Sequence, residues 1–316
     1  MTRYIVSRLV QSAVLLVLVT IIVFGLIHSA PGGPSAVMAD TKLPAAQIAR
    51  MRANLGLDQP VPIQYLKWIR ALAKGDFGLS YTDNRSVLSE IEQRLPNTLI
   101  LAGTSFILAL IISIPLGIYS AQRARSAADN LVSAGSFIGL AIPVFWFGIV
   151  MIIIFSVKLH WLPSSGMYTT NKPASLPDLL KHLIMPAIVL ATPTVAQLTR
   201  FVRASMLEVM SQDYVRTARS KGLSETRVIY LHVLRNALVP IITIIGILLQ
   251  VVVAGAAITE SVFGWPGMGR LAVDAAFTRD YPVVMGITVL VAAFVILINL
   301  VTDLAYMLVD PRVRLQ

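Results

Sequence analysis

Cysteine is missing from all 316 residues. That excludes a disulfide framework, a thiol nucleophile and any cysteine-held metal. Charge is also scarce. Asp, Glu, Lys and Arg make up 13% of the chain, where a soluble domain carries roughly 25%. Apolar residues make up 56%, and the mean hydropathy is +0.75. Such a chain lacks the polar surface to cover itself in water, so it reads as a membrane protein with the lipid bilayer as its solvent. The four histidines, His28, His160, His182 and His232, lie far apart; they form no ligand pattern, and no metal site is expected. The formal charge of +10 does not imply nucleic acid. Basic residues sit beside apolar runs, where they fix topology and meet anionic headgroups.

What the chain does have is six apolar runs, which predict an all-α polytopic membrane protein. The first, Leu9–Ile27, follows Arg3 and Arg8. It is close to the ~20 residues needed to cross hydrocarbon, longer than a signal-peptide core, and His28-Ser29-Ala30 is a poor cleavage site. A retained helix with a cytoplasmic N-terminus is expected. The polar segment 31–96 opens with PGGP. It has an amphipathic middle at Ile63, Leu66, Ile69, Leu72 and Ala73 and a turn at GDFG, 75–78, and is expected to be a small helical extracytoplasmic subdomain. The next spans are predicted at Asn97–Ala121, with Pro115 and Gly117 near the inner end, and at Leu131–Val157, with Pro143 mid-run. Trp161 and Tyr168 suit an interfacial belt.

The fourth span, Leu183–Arg203, contains Pro186 and Pro193 and is expected to be irregular. Thr194, Gln197 and Arg200 recur at three-residue steps, as if on one face. They are candidates for lining a translocation pathway, or for hydrogen-bonding neighbouring helices. The fifth span, Leu238–Ile258, presents Thr243, Gly246, Gln250, Ala254 and Ala257 on a small-and-polar face. Close helix packing explains most of it, and Gln250 is the candidate for substrate contact. Glu260 stands at the outer end, where an ionisable group is costly unless partnered. The sixth span, Val283–Met307, carries Asn299 and Asp303, before a basic tail at 308–316. Six spans place both termini in the cytoplasm. The short loops agree, with Arg123, Arg125, Arg312 and Arg314 inside.

Between the fourth and fifth spans lies DYVRTARSKGLSETRVIYLHVLRNALVP, Asp213–Pro240. Arg216, Arg219 and Lys221 lie on a short helical run that stops at Gly222, since glycine enters the left-handed conformation without steric cost. Ser224 is expected to cap a second run, with Glu225 in its first turn and an end near Leu234. Helix, glycine turn, helix at a membrane face is the prediction. An ordinary basic cytoplasmic loop is the plainer alternative.

Several motif matches fail on context. DFG at 76–78 lacks the glycine-rich loop and HRD of a kinase. Gly264–Leu271 approximates a phosphate loop, but Arg270 and Leu271 replace the required lysine and hydroxyl. Gly267–Ala272 fits GxGxxA with no strand before it. The chain has no nucleotide site of its own. A proton-coupled carrier needs mid-membrane carboxylates or histidines, and Glu260 and Asp303 lie near span ends. An intramembrane enzyme needs a nucleophile and base on facing helices, and no such set is visible.

The central segment resembles the cytoplasmic EAA loop of ABC-transporter importer permeases, in the form found in dipeptide and oligopeptide permeases. Gly222 takes the glycine position of that loop, Ala218 the second alanine and Leu234 the leucine. Arg216 and Thr217 stand in place of glutamate and the first alanine, and Arg235 in place of proline. RYIVSRLVQ at 3–11, APGGP at 30–34, LGLDQPVPIQYLKW at 55–68 and GDFGLSY at 75–81 are similar to the same branch. So are FGWPGMGRL at 263–271, RDYPVV at 279–284 and DPRVR at 310–314.

The resemblance implies a permease subunit in a bacterial or archaeal plasma membrane. It would pair with a second, homologous permease, with two ATP-binding subunits beneath and an extracytoplasmic solute-binding protein outside. ATP and magnesium would sit on the ATPases; this chain would bind no cofactor and do no bond chemistry. The organisation expected is an N-terminal helix at 1–30, the outer subdomain at 31–96, a five-helix core at 97–307 containing a coupling loop at 205–237, and the tail. Ala218, Gly222 and Leu234 would form the coupling core, with Asp213, Tyr214, Arg216, Arg219 and Lys221 toward the ATPase. Di- or oligopeptides are the implied cargo. A nickel chelate or glutathione carried by the same machinery is the alternative, and an ion-coupled secondary transporter the alternative from another class.

Overall fold

A computed structural model describes residues 2–29 and 59–309. The APGGP segment, the first part of LGLDQPVPIQYLKW, residues 31–58 of the expected outer subdomain and the DPRVR tail lie outside the described residues. The fold is all-α. Among the described residues only Leu79 and Ser86 form a β-bridge, and it is isolated. Among the described residues five helices are long and apolar enough to cross a membrane, and a sixth crossing exists if one bent pair counts as a span. The chain divides into two compact units, Met1–Asn97 with Gly267–Leu297, and Thr98–Pro266 with Ile298–Gln316.

In the first unit, helix α1 (Thr2–Ser29) packs against α2 (Val61–Leu72). Pro62 lies in the first turn of α2, where its missing N–H would be unpaired anyway. Phe24 stacks on His28 and meets Tyr65 edge-on, with Trp68 beside it. The hydroxyls of Thr20 and Tyr65 lie 2.9 Å apart, so the phenol of this aromatic cluster has a hydrogen-bond partner. The second half of the unit includes the start of α3 (Val87–Gln122), which begins about ten residues before the predicted span and continues through Pro96. Val87 and Ile91 are its first buried residues, packed with Met268, Leu271, Val283 and Ile287. That apolar pair recruits the preceding polar segment into the helix.

Asp280 ties two distant motifs together in this unit. Its buried carboxylate accepts from the Ser80 hydroxyl at 2.5 Å, the Tyr81 N–H at 3.1 Å and the Thr82 N–H at 3.2 Å. GDFGLSY and RDYPVV, 200 residues apart, thus meet at one carboxylate. Burial pushes the Tyr81 phenol above its ordinary pKa, and the Asp280 charge adds to the shift.

The second unit departs from prediction in two of its spans. The run expected at Leu131–Val157 is two helices, α4 (Ala127–Ala141) and α5 (Val144–Met151, continuing as a π-helix through Lys158), bent by 99°. Pro143 is the cause. Its ring bars Ile142 from helical ψ, and Ile142 is extended at ψ 122°. Helix α6 (Leu176–Met210) is not broken, despite Pro186 and Pro193. Met185, Val189, Leu190 and Leu198 are buried along it, and this packing keeps it continuous where propensity alone would interrupt it.

Candidate functional site

The Asp213–Pro240 segment folds as a short helix, a glycine turn and a long helix. α7 (Asp213–Ser220) buries only Val215 and Ala218, an i, i+3 pair on one side. They join a core that includes Leu198, Val202, Met206, Val228, Ile229 and Val233, with Leu234 partly buried against it. Asp213, Tyr214, Arg216, Arg219 and Lys221 are exposed. The coupling residues inferred from the sequence therefore fall into two sets. Ala218 and Leu234 anchor the segment to the unit, and the polar residues face away from its core.

Gly222 has φ +75°, and a Cβ there would meet nothing within 4 Å. The glycine is needed for backbone conformation and not for space. Across this turn Arg219 grips Glu225 with two hydrogen bonds, Nε to Oε2 at 3.2 Å and Nη2 to Oε1 at 2.7 Å. Ser224 holds the N-cap position with extended backbone, but its side chain makes no capping bond; its carbonyl accepts from the Val228 N–H instead. The second run does not end near Leu234. A turn at Glu225–Arg227 passes into a π-helix at Val228–Leu234 and on into α8 (Arg235–Val262), with Pro240 inside.

The pathway candidates do not all converge. Thr194 is 3% exposed, whereas Gln197 and Arg200 line a groove of about 590 Å³ between α4 and α6, with Ser133, Phe137, Leu140, Phe201, Arg203 and Ala204. Three-residue steps explain the split, because each falls about 60° short of a full turn. The row winds around the helix, from buried at Thr194 to exposed at Arg200. Gln250 lies elsewhere and donates to Asn299 Oδ1 at 2.6 Å. Glu260 is fully buried and accepts from the Thr98 hydroxyl at 2.7 Å; it has the partner its position demands.

The strongest polar contact of the unit was not anticipated from sequence. Asp129, 2% exposed, accepts from Arg203 Nε at 2.6 Å and Nη2 at 2.8 Å. The Ser120 hydroxyl at 2.5 Å and the Arg125 N–H at 2.8 Å complete its shell. An aspartate four residues past Arg125, opening an apolar run, is the only sequence signal for it. Among the described residues no group of three or more His, Asp or Glu stands together as a metal site.

The family models decide the identity. Residues 113–315 match the binding-protein-dependent transport system inner membrane component, and residues 1–102 match the N-terminal membrane component of such systems. The chain belongs to this family. The permease is 47% identical over 315 residues to the oligopeptide transport system permease protein AppB of Bacillus subtilis, covering 99% of this chain and all of that one. It is 37% identical over 336 residues to the dipeptide transport system permease protein DppB of Escherichia coli K12, covering 99% of each. In fold it is similar to a chain of the inward-facing MetNI methionine ABC transporter, with a TM-score of 0.56 at 19% identity, over 70% of this permease and 96% of that chain. It is a multi-pass protein of the inner membrane.

Proposed function

We propose that this permease is one of two homologous membrane subunits of an ATP-driven importer of di- or oligopeptides, and that Asp213–Leu234 is its coupling element. The relatives named for oligopeptide and dipeptide transport support the cargo. A solute-binding protein delivers the peptide from outside. Two ATPases beneath carry ATP and magnesium, and this chain contributes no bond chemistry.

One observation carries the coupling role. α7 is anchored by Val215 and Ala218 while its charged face is left open. A short helix held this way can seat in a groove of an ATPase. Gly222 and the Arg219–Glu225 bridge then set the angle at which motion enters the long helix. A two-state element moved from below becomes helix rocking above, which is what coupling requires.

The absence of cysteine gives a clean test. Arg216→Cys in the assembled transporter should cross-link to an ATPase bearing a surface cysteine, with a yield that changes when ATP is bound. Co-purification of a second permease and the ATPases should accompany it. Recovery of the chain with no ATPase, even after cross-linking, would overturn the reading.

A further inference from the structure

The groove between α4 and α6 has an uneven charge inventory. Its lining includes two arginines and no Asp or Glu. Arg203 is neutralised by Asp129, whose oxygens are already taken by Arg203, Ser120 and the Arg125 N–H. Arg200 is different. Its guanidinium lies over the Phe137 ring, 4.5 Å from the centroid, and among the described residues it has no carboxylate in ion-pair range. A ring face accepts no conventional hydrogen bond, so the N–H donors of Arg200 stay available for an anion.

The groove is mainly apolar, with a row of polar groups along its α6 side. Gln197, Arg200 and Arg203 occupy about 9 Å of α6, and Ser133 faces them from α4. Polar groups over such a length at membrane depth belong in a wet cavity and not against lipid tails. The volume, about 590 Å³, suits a small-molecule cargo, for which sites run ~300–1,000 Å³.

We propose that Arg200 binds the C-terminal carboxylate of the peptide in transit. Gln197 and Ser133 take backbone amides, and Phe137 and Phe201 provide the apolar wall. The carboxylate is the one anion common to all unmodified linear peptides, so a single fixed guanidinium can serve cargo of any side chain, and its fork matches a carboxylate with two hydrogen bonds. This inference rests on the peptide-importer reading.

The test uses the complete transporter in proteoliposomes with its binding protein and ATP. Uptake of a short peptide is compared with uptake of its C-terminal amide, and the ratio is divided by the binding protein's own affinity ratio for the two. The wild-type quotient should exceed one by about tenfold, the scale of a charge-assisted hydrogen-bond pair. Arg200→Gln should bring it to about one, and Arg200→Lys should leave it between the two. A quotient of one in the wild type, or one unchanged in Arg200→Gln, would overturn the proposal. If Arg200→Gln does not assemble, Arg200→Lys decides: a reduced quotient supports the fork, and an unreduced one refutes it. Failure of the wild type to move any peptide would instead count against the importer reading itself.

Discussion

Arg203 holds Asp129 with both prongs of its guanidinium, at 2.6 and 2.8 Å, and so fixes α6 to the start of α4. Arg203 lies seven residues before the end of α6, and the proposed coupling element follows at Asp213. Asp129 is almost wholly buried, while the Arg203 side chain is 29% exposed.

Loss of the arginine should therefore hurt more than loss of the acid. Arg203→Met leaves a buried carboxylate without its cation, a loss toward the lower end of ~3–5 kcal/mol for broken buried pairs, because water reaches one side. Asp129→Asn should cost less, and the double variant should recover part of the loss. Thermal unfolding of the purified proteins in detergent would measure the order. Equal, negligible shifts for both single variants would show the pair to be incidental.

At Gly222 the side-chain space is open, so substitutions should rank by backbone preference alone. Asn should be tolerated best, Ala should cost ~1 kcal/mol, and Val and Pro should fail, Pro because its φ is fixed near −65°. Membrane insertion should survive in all four, with peptide uptake following the ranking. Wild-type uptake by Gly222→Pro would remove the turn from the mechanism.

The Arg219–Glu225 bridge is exposed on both partners, so its contribution to stability is small, ~0.2–1 kcal/mol. Its role would be geometric. Arg219→Glu combined with Glu225→Arg should restore the ATP-driven uptake that either single reversal loses. If uptake stays lost in the double reversal, Arg219 acts by touching the ATPase, and the bridge is secondary.

Close approach of α3 and α6 should be visible at Gly117. A Cβ there would stand 2.6 Å from Val202 Cβ and 2.9 Å from the Thr199 carbonyl. Gly117→Ala should lose ~1–3 kcal/mol by overpacking. Gly103, in the same helix with nothing within 4 Å, should accept alanine without loss. Similar melting of the two variants would contradict this packing.

The sequence exposed the apolar spans, because about twenty consecutive lipid-compatible residues leave little ambiguity. It also exposed the glycine turn, since few residues adopt that φ. It was less able to show where helices stop. Val87 starts α3 through tertiary burial, and the run after Gly222 continues past Leu234 because Val228, Ile229 and Val233 are buried in the same core as α6. The Pro143 residue was visible, but not the 99° it imposes. Pairings such as Asp129 with Arg203, 74 positions apart, or Asp280 with Ser80, have no local pattern to betray them. The Thr194–Arg200 row divides between core and groove for a geometric reason: a three-residue period drifts around a 3.6-residue helix.

The continuous helical path from Glu225 to Val262 makes the proposed coupling segment and the Glu260 end two ends of one lever arm. Thirty-eight residues at the α-helical rise give a rod of about 57 Å, so a tilt of about 5° at its foot carries its tip through about 5 Å. Near that tip Glu260 is tied to Thr98, which makes this buried hydrogen bond a place where a push at the helix's foot would first be felt at its far end.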